Sequence, residues 1–235
     1  MNHAFIAPLT EISGYGRGSR FLAKIFRELY PEITLIDRAN TIPNAEQLYL
    51  VKDLGEIISE TPEDLKGEID TAIEMTIPQN VWNVAEKTYN YTMFETYNSL
   101  PSSFLDGLIE NYNIITPTYE NQKLFLDQAR GQRSTDINVS VLPLGFDDSD
   151  NISQDKLDTF KKKYGILDDR MNMFTIMDIN ERKGLWTLLH TIPAIPKDLH
   201  LYIKFNAFSS SYKKAKEIKK QYERNNIHII IDYLT

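Results

Sequence analysis

Short apolar runs alternate with amphipathic stretches along almost the whole chain, and this pattern constrains the fold more than any other feature. Ala4 to Pro8 is an apolar run that reads as a strand. Phe21, Leu22, Ile25, Phe26 and Leu29 then recur at helical spacing, which predicts a helix over 21–29. Thr34 to Ile36 is a second strand, and Asp70 to Thr76 a third, closed by Pro78. Thr88 to Phe94 is aromatic-rich and strand-like. Pro101 opens a helix that runs to about Asn111, because its fixed φ suits a first turn. Ile114 to Pro117 is a strand, Glu120 to Ala129 a helix and Val139 to Pro143 a further strand. The stretch from Leu48 to Leu65 is only loosely helical. Such alternation predicts the α/β class, with a parallel sheet and helices packed on it.

The texture then changes. Asp147-Asp148-Ser149-Asp150-Asn151 is a polar, turn-forming run, which reads as a linker. The expected organisation is a first domain over 1–147, a linker and connecting helix (Ser153 to about Tyr164) over 148–170, and a second unit over 171–235. In that second unit the alternation restarts. Its strands are expected at Met173–Met177, Leu199–Phe205 and Ile227–Ile231, its helices at Gly184–His190 and Tyr212–Arg224. The run His228 to Ile231 looks like a strand buried on both faces. Three strands and so few helices can hardly cover both faces of a parallel sheet. The second unit is therefore expected to be part of a domain. An apolar edge near Ile229 to Tyr233 would be covered by the first domain, a continuation of the chain, or a second copy in a homo-oligomer.

Composition narrows the class. The chain has 235 residues, 42% of them hydrophobic and 25% charged, as in an ordinary globular protein. It has no cysteine, which excludes disulfides and thiolate metal sites. A net charge of -7 gives no general pull toward nucleic acid. The N-terminal apolar run is too short for a signal-peptide core, and no stretch approaches the roughly 18 apolar residues of a membrane span. A cytoplasmic protein with no integral membrane segment is the expectation. His3, His190, His200 and His228 show no metal-ligand spacing. The lysines from Lys213 to Lys220 form a basic face that reads as solvated.

Three segments are candidates for chemistry. Ser13-Gly14-Tyr15-Gly16-Arg17-Gly18 lies between the first strand and the first helix. Glycines let a backbone turn tightly and approach a ligand, and a helix start attracts phosphate. The alternative is a plain surface loop. An NAD-dependent oxidoreductase would place Asp37 on a ribose. That reading is disfavoured, because the third glycine comes one residue early and the first lies about six residues past the strand. Glu95 falls near the carboxyl end of a strand, where open parallel sheets bind ligands; otherwise it is a solvated turn residue. Arg182-Lys183 places two cations at a helix start, against the helix dipole, which makes sense if an anion sits there.

In order along the chain, further segments resemble a known family. Phe94-Glu95-Thr96 with Leu100-Pro101 resembles an "FET…LP" segment, and Ile114-Ile115-Thr116-Pro117-Thr118 is similar to a "D-x-hydrophobic-x-x-P-S" strand. Val141-Leu142-Pro143-Leu144-Gly145-Phe146-Asp147 looks like "V-x-P-x-G-V-D", and Arg182-Lys183-Gly184 like "RKG". The family is the retaining family 4 glycosyltransferases (glycosyltransferase group 1). The resemblance implies a GT-B fold: an N-terminal Rossmann-like domain with a parallel sheet, plus part of a second Rossmann-like domain. It implies hexose transfer from a nucleotide-diphosphate sugar to an acceptor, with no metal and no separate cofactor. Arg182, Lys183, Gly14 and Gly16 would hold the donor diphosphate. Tyr15, Glu95 and Thr96 would line the acceptor side, with Glu95 as the catalytic carboxylate. Many relatives carry an extra Arg where Asp178 stands here, a role that the resemblance gives to Arg182 in this branch, and the family's "E-G-F-G-L-P…E" segment would come after Ile231. A non-catalytic sugar- or partner-binding remnant of such a protein is the alternative.

Overall fold

The computed structural model describes residues 2–11, 13–38, 43–59, 61–95, 99–132, 137–145, 152–179, 183–207 and 209–233. The chain divides into two compact units, Met1–Asp148 and Ser149–Thr235. The segment expected to be a separate linker and helix clusters with the second unit; the run 147–151 itself lies outside the described residues.

The first unit is built on β1 (His3–Ala7), β2 (Thr34–Asp37), β3 (Ile69–Met75), β4 (Ala85–Tyr91), β5 (Asn113–Thr116) and β6 (Asn138–Val141). They form one parallel sheet in the order β2-β1-β3-β4-β5-β6. Both faces are covered, which is why the strands read as apolar runs. Phe5 and Ala7 of β1 join Leu22, Ala23 and Phe26 of α1 (Gly14–Leu29) on one face. Ala4 and Ile6 point to the other, with Ile36, Leu65 and Ala72. Further along that sheet, Ile114 and Val139 pack with α4 (Ser102–Asn111) and α5 (Tyr119–Gly131) through Phe104, Leu108 and Phe125. At Gly107 α4 lies so close to the 3-10 turn Pro78–Asn80 that an added Cβ would meet the Gln79 nitrogen at 2.6 Å.

Several boundaries differ from those the sequence suggested. The glycine segment 14–18 is the opening of α1, not a loop before it. Ser13 caps the helix by accepting from the Gly16 N–H at 3.0 Å. The loosely helical stretch is two short helices, α2 (Ala45–Val51) and α3 (Pro62–Leu65). Between them Gly55 takes φ +76, and Ile58 bridges to Ile36. β4 stops at Tyr91, short of Phe94. There the Asn121 side chain replaces a strand partner: its Oδ1 accepts from the Phe94 N–H, and its Nδ2 donates to the Phe94 carbonyl.

The second unit holds α6 (Gln154–Tyr164), β7 (Met171–Met177), α7 (Leu185–Thr191), β8 (Leu199–Ala207), α8 (Ser209–Tyr222) and β9 (Ile227–Tyr233). Its sheet is parallel, in the order β7-β8-β9. One face packs Leu201, Ile203, Phe205, Ile227 and Ile229 against Leu185, Leu189, Ala215 and Ile218 of α7 and α8. The other face carries a row of rings. Phe174 stacks on Tyr202, Tyr202 on His228, and His228 on His200. β9 is not buried on both faces: Ile227 and Ile229 are, while His228 and Ile230 are half-buried. Exposed apolar side chains lie instead on the opposite edge strand, β7, where Met171 is 69% exposed, Met173 51%, Phe174 50% and Ile176 66%.

Candidate functional site

In the first unit strand order reverses between β1 and β3, which sit side by side although β2 lies between them in sequence. In open parallel sheets such a switch point, at the carboxyl ends of the strands, is where ligands bind. The buried polar residues of this unit fall at that edge: Thr10, Asp37, Glu74, Asn90, Thr92 and Thr116, with Ser19 on the helix that starts there. Burying so many polar groups costs free energy unless each finds a partner. Most do.

Asp37 pins the loop after β1. Its carboxylate accepts from the Leu9 N–H at 2.9 Å and from the Thr10 hydroxyl at 2.6 Å. Arg20 holds the same loop from α1 by donating to the carbonyls of Leu9 and Glu11. Glu74, fully buried, accepts from Arg38, Trp82 N–H and Asn83 N–H, while the Arg38 guanidinium lies over the Trp82 ring. Burial pushes the Glu74 carboxyl up, and the Trp82 N–H, Arg38 and the Asn83 N–H oppose it.

Other polar atoms at this edge have no such partner. The Tyr15 hydroxyl, Asn90 Oδ1 and Thr92 Oγ1 are buried without a hydrogen bond. Burial raises the Tyr15 phenol; Thr92 and the Met93 backbone lie close enough to pull it part-way down, and the Glu95 charge pushes it up. Tyr91 is raised further, by burial and then by Tyr15, and donates to the Leu142 carbonyl at 2.7 Å. The structure thus brings Tyr15 and Glu95 into electrostatic contact. Glu95 is exposed and lies beyond the end of β4.

The glycines differ in what they leave open. Gly14 is exposed, with nothing near its Cβ direction. Gly16 is buried under the Glu11 carbonyl, where a Cβ would come within 2.0 Å, and its N–H is taken by Ser13. Its small size is a packing requirement. Thr96 lies outside the described residues.

In the second unit Lys183 is exposed in the turn between β7 and α7, followed by Gly184 in the left-handed region at φ +70. That conformation explains the glycine. Arg182 lies outside the described residues. Among the described residues no three His, Asp or Glu side chains group closely enough to hold a metal ion, and no helix is long and apolar enough to cross a membrane. Sequence reading missed Asn90, Thr10 and Thr116, whose only signal is their place at strand ends.

By sequence, no protein family and no curated protein matches the chain. Solved structures do match its fold. A glycosyltransferase from Rickettsia africae superposes with a TM-score of 0.70 at 14% identity, over 98% of this chain and 68% of its own. Anabaena HepE in complex with UDP and glucose gives 0.71 at 13%, over 100% of this chain and 70% of its own. WaaG, a glycosyltransferase of lipopolysaccharide biosynthesis, gives 0.58 at 13%, over 97% and 70%. The fold is that of the GT-B glycosyltransferases, present in part. The sequence expectation of an α/β chain with two parallel sheets stands.

Proposed function

We propose that the chain acts as a retaining glycosyltransferase of the family 4 kind, alone or within a longer protein, moving a hexose from a nucleotide-diphosphate sugar to an acceptor hydroxyl. The observation that carries this reading is the fold match over the whole chain to glycosyltransferases, one of them holding UDP and glucose. The hydroxyl-rich switch point of the first unit supports an acceptor there, with Tyr15, Glu95 and Thr96 lining it and Glu95 as the catalytic carboxylate. Lys183, with Arg182 beside it in sequence, neutralises the charge that grows on the diphosphate as its bond to the sugar breaks. Of the two glycines, Gly14 has the open backbone that an approach to the diphosphate needs. No metal or separate cofactor takes part. An oxidoreductase is disfavoured further by Asp37, whose carboxylate is spent on Leu9 and Thr10 rather than left for a ribose.

Calorimetry with UDP and UDP-glucose tests the donor site. Changing Arg182 and Lys183 together to Ala should weaken binding by on the order of 2–4 kcal/mol, from charge-assisted hydrogen bonds of about 1.5–3 kcal/mol each, discounted for solvent. Unchanged affinity rules the role out. Donor binding without transfer to any sugar acceptor would favour the non-catalytic remnant, and binding of NAD would favour the oxidoreductase.

A further inference from the structure

Two hydroxyls at the carboxyl edge of the first sheet stand apart from the polar residues around them. Asp37, Thr10 and Glu74 are paired within the fold. Thr92 is fully buried, and its N–H continues the sheet by donating to the Ile115 carbonyl at 2.9 Å, but its Oγ1 has no hydrogen-bond partner. The Tyr15 hydroxyl, which lies beside it from α1, has none either. The Tyr15 ring is held by packing on the core that contains Ala7, Met75 and Tyr91. Valine has nearly the shape of threonine and would suit position 92 better, because an unpaired buried hydroxyl opposes folding. A buried polar group without a partner calls for a reason, and a ligand supplies one.

The chemistry of the pair narrows the ligand. Each hydroxyl can donate one hydrogen bond and accept others. Neither carries a charge: burial keeps the Tyr15 phenol protonated, and the charge that reaches it is the negative one of Glu95. Arg20, further along α1, is turned instead to the carbonyls of Leu9 and Glu11. A phosphate or carboxylate placed beside Tyr15 would be repelled by Glu95. A sugar hydroxyl meets no such penalty. It donates and accepts at once, as both of its partners would, and two neighbouring hydroxyls of one ring match two protein hydroxyls side by side.

We propose that Tyr15 and Thr92 form a subsite for neighbouring hydroxyls of the acceptor, that the acceptor is a neutral saccharide rather than a phosphorylated one, and that Thr92 is a specificity-determining residue. The proposal rests on the reading of this edge as the acceptor side, and adds to it the acceptor's chemical class and the role of Thr92. The desolvation that the two hydroxyls carry in the empty fold is offset when the sugar binds.

Thr92→Val deletes the hydroxyl and keeps the shape. Its urea midpoint, read by Trp82 in a Trp186→Phe background, should lie above the parent's, as should that of Tyr15→Phe. Ligand-observed NMR should show at least one of methyl α-glucoside, methyl α-mannoside and methyl α-galactoside binding to the parent chain, with glucose 6-phosphate weaker by about tenfold or more. Thr92→Val should weaken the bound glycoside by about tenfold and leave the affinity for UDP in calorimetry unchanged. A lower urea midpoint for Thr92→Val means that the hydroxyl serves the fold, and overturns the proposal. Glucose 6-phosphate binding as tightly as the best glycoside overturns it, as does a parent chain that binds none of the three glycosides. The donor reading fails separately. Glycoside binding that depends on Thr92 in a chain blind to UDP supports the subsite and refutes the nucleotide-sugar donor alone. UDP binding, with a glycoside affinity that Thr92→Val leaves unchanged, overturns the subsite and leaves the donor standing.

Discussion

Replacing Asp37 tests whether the loop at the switch point is held by one carboxylate. Asp37 is 5% exposed and accepts from the Leu9 N–H and the Thr10 hydroxyl at 2.9 and 2.6 Å; a longer approach from the Thr10 N–H adds little. Leu9 and Thr10 are themselves buried; the Leu9 N–H also donates to the Ala7 carbonyl at 2.8 Å and keeps that partner, so Asp37→Ala leaves the Thr10 hydroxyl with no partner and little water. An orphaned buried donor costs about 1–3 kcal/mol, and losing the carboxylate returns part of its own desolvation cost while loosening the Leu9 amide, so the expected loss is about 2 kcal/mol. Asp37→Asn keeps an oxygen for the Leu9 N–H, and the Thr10 hydroxyl can reverse its role to accept, so its loss should be about 1 kcal/mol. Trp82 lies in the first unit and Trp186 in the second, so a Trp186→Phe background leaves one fluorescent reporter on the right unit. Urea midpoints in that background give both numbers. An Ala variant losing less than about 1 kcal/mol, or an Asn variant as damaged as Ala, would refute the pinning argument.

Two further outcomes follow from the packing and the charges. Gly107→Ala drives a Cβ into the Pro78–Gln79 backbone, at 2.7 and 2.6 Å, and should cost about 1–3 kcal/mol in the same urea assay; a neutral effect would mean that α4 shifts without penalty. Burial, and then His200, hold the His228 imidazole below its usual range, with Arg170 acting the same way and Glu223 opposing. The folded unit thus binds fewer protons than the unfolded chain, so His228's contribution is present above about pH 6.5 and is lost as the pH falls below it. The urea midpoint of the second unit, read by Trp186 in a Trp82→Phe background, should drop between pH 7.5 and 5.5, and His228→Gln should flatten that drop; an equal slope in both chains contradicts it.

How much of this could be read from sequence depends on which physical signal carried it. Ala4–Pro8 and Thr34–Ile36 were legible as strands because a sheet covered by helices demands apolar runs; His228–Ile231 was legible as a strand too, but one of its faces carries rings rather than a helix. Gly16 was legible as special but not as what it is, because the residue that requires it, Glu11, acts through a backbone carbonyl that any side chain would supply. The end of β4 was hidden for a similar reason: Asn121 closes it from a helix far along the chain. β9 is an edge strand, as expected, but the exposed apolar side chains lie on β7 at the other edge, because apolarity alone does not reveal strand order. Tyr15 and Glu95 were chosen separately, and only the fold brings them into contact.

The parallel topology also has a consequence for how the chain acquires its structure. Among the described residues no two strands are joined by a hairpin, so each pairing there closes a loop through a helix or a long connection. The loops are unequal. In the second unit Met171 pairs with Leu199 and Leu201 with Ile227, whereas in the first unit His3 pairs with Thr71 and must wait for all of β2, α2 and α3 to be made. Loop-closure entropy has to be met before distant contacts reward it, and rates fall as contacts become less local. During synthesis β1 leaves the ribosome before β2 and β3, yet its place inside the sheet stays open until β3 follows. Until then an apolar strand has only β2 beside it, and this interval is where the nascent chain is most exposed to aggregation and to chaperones.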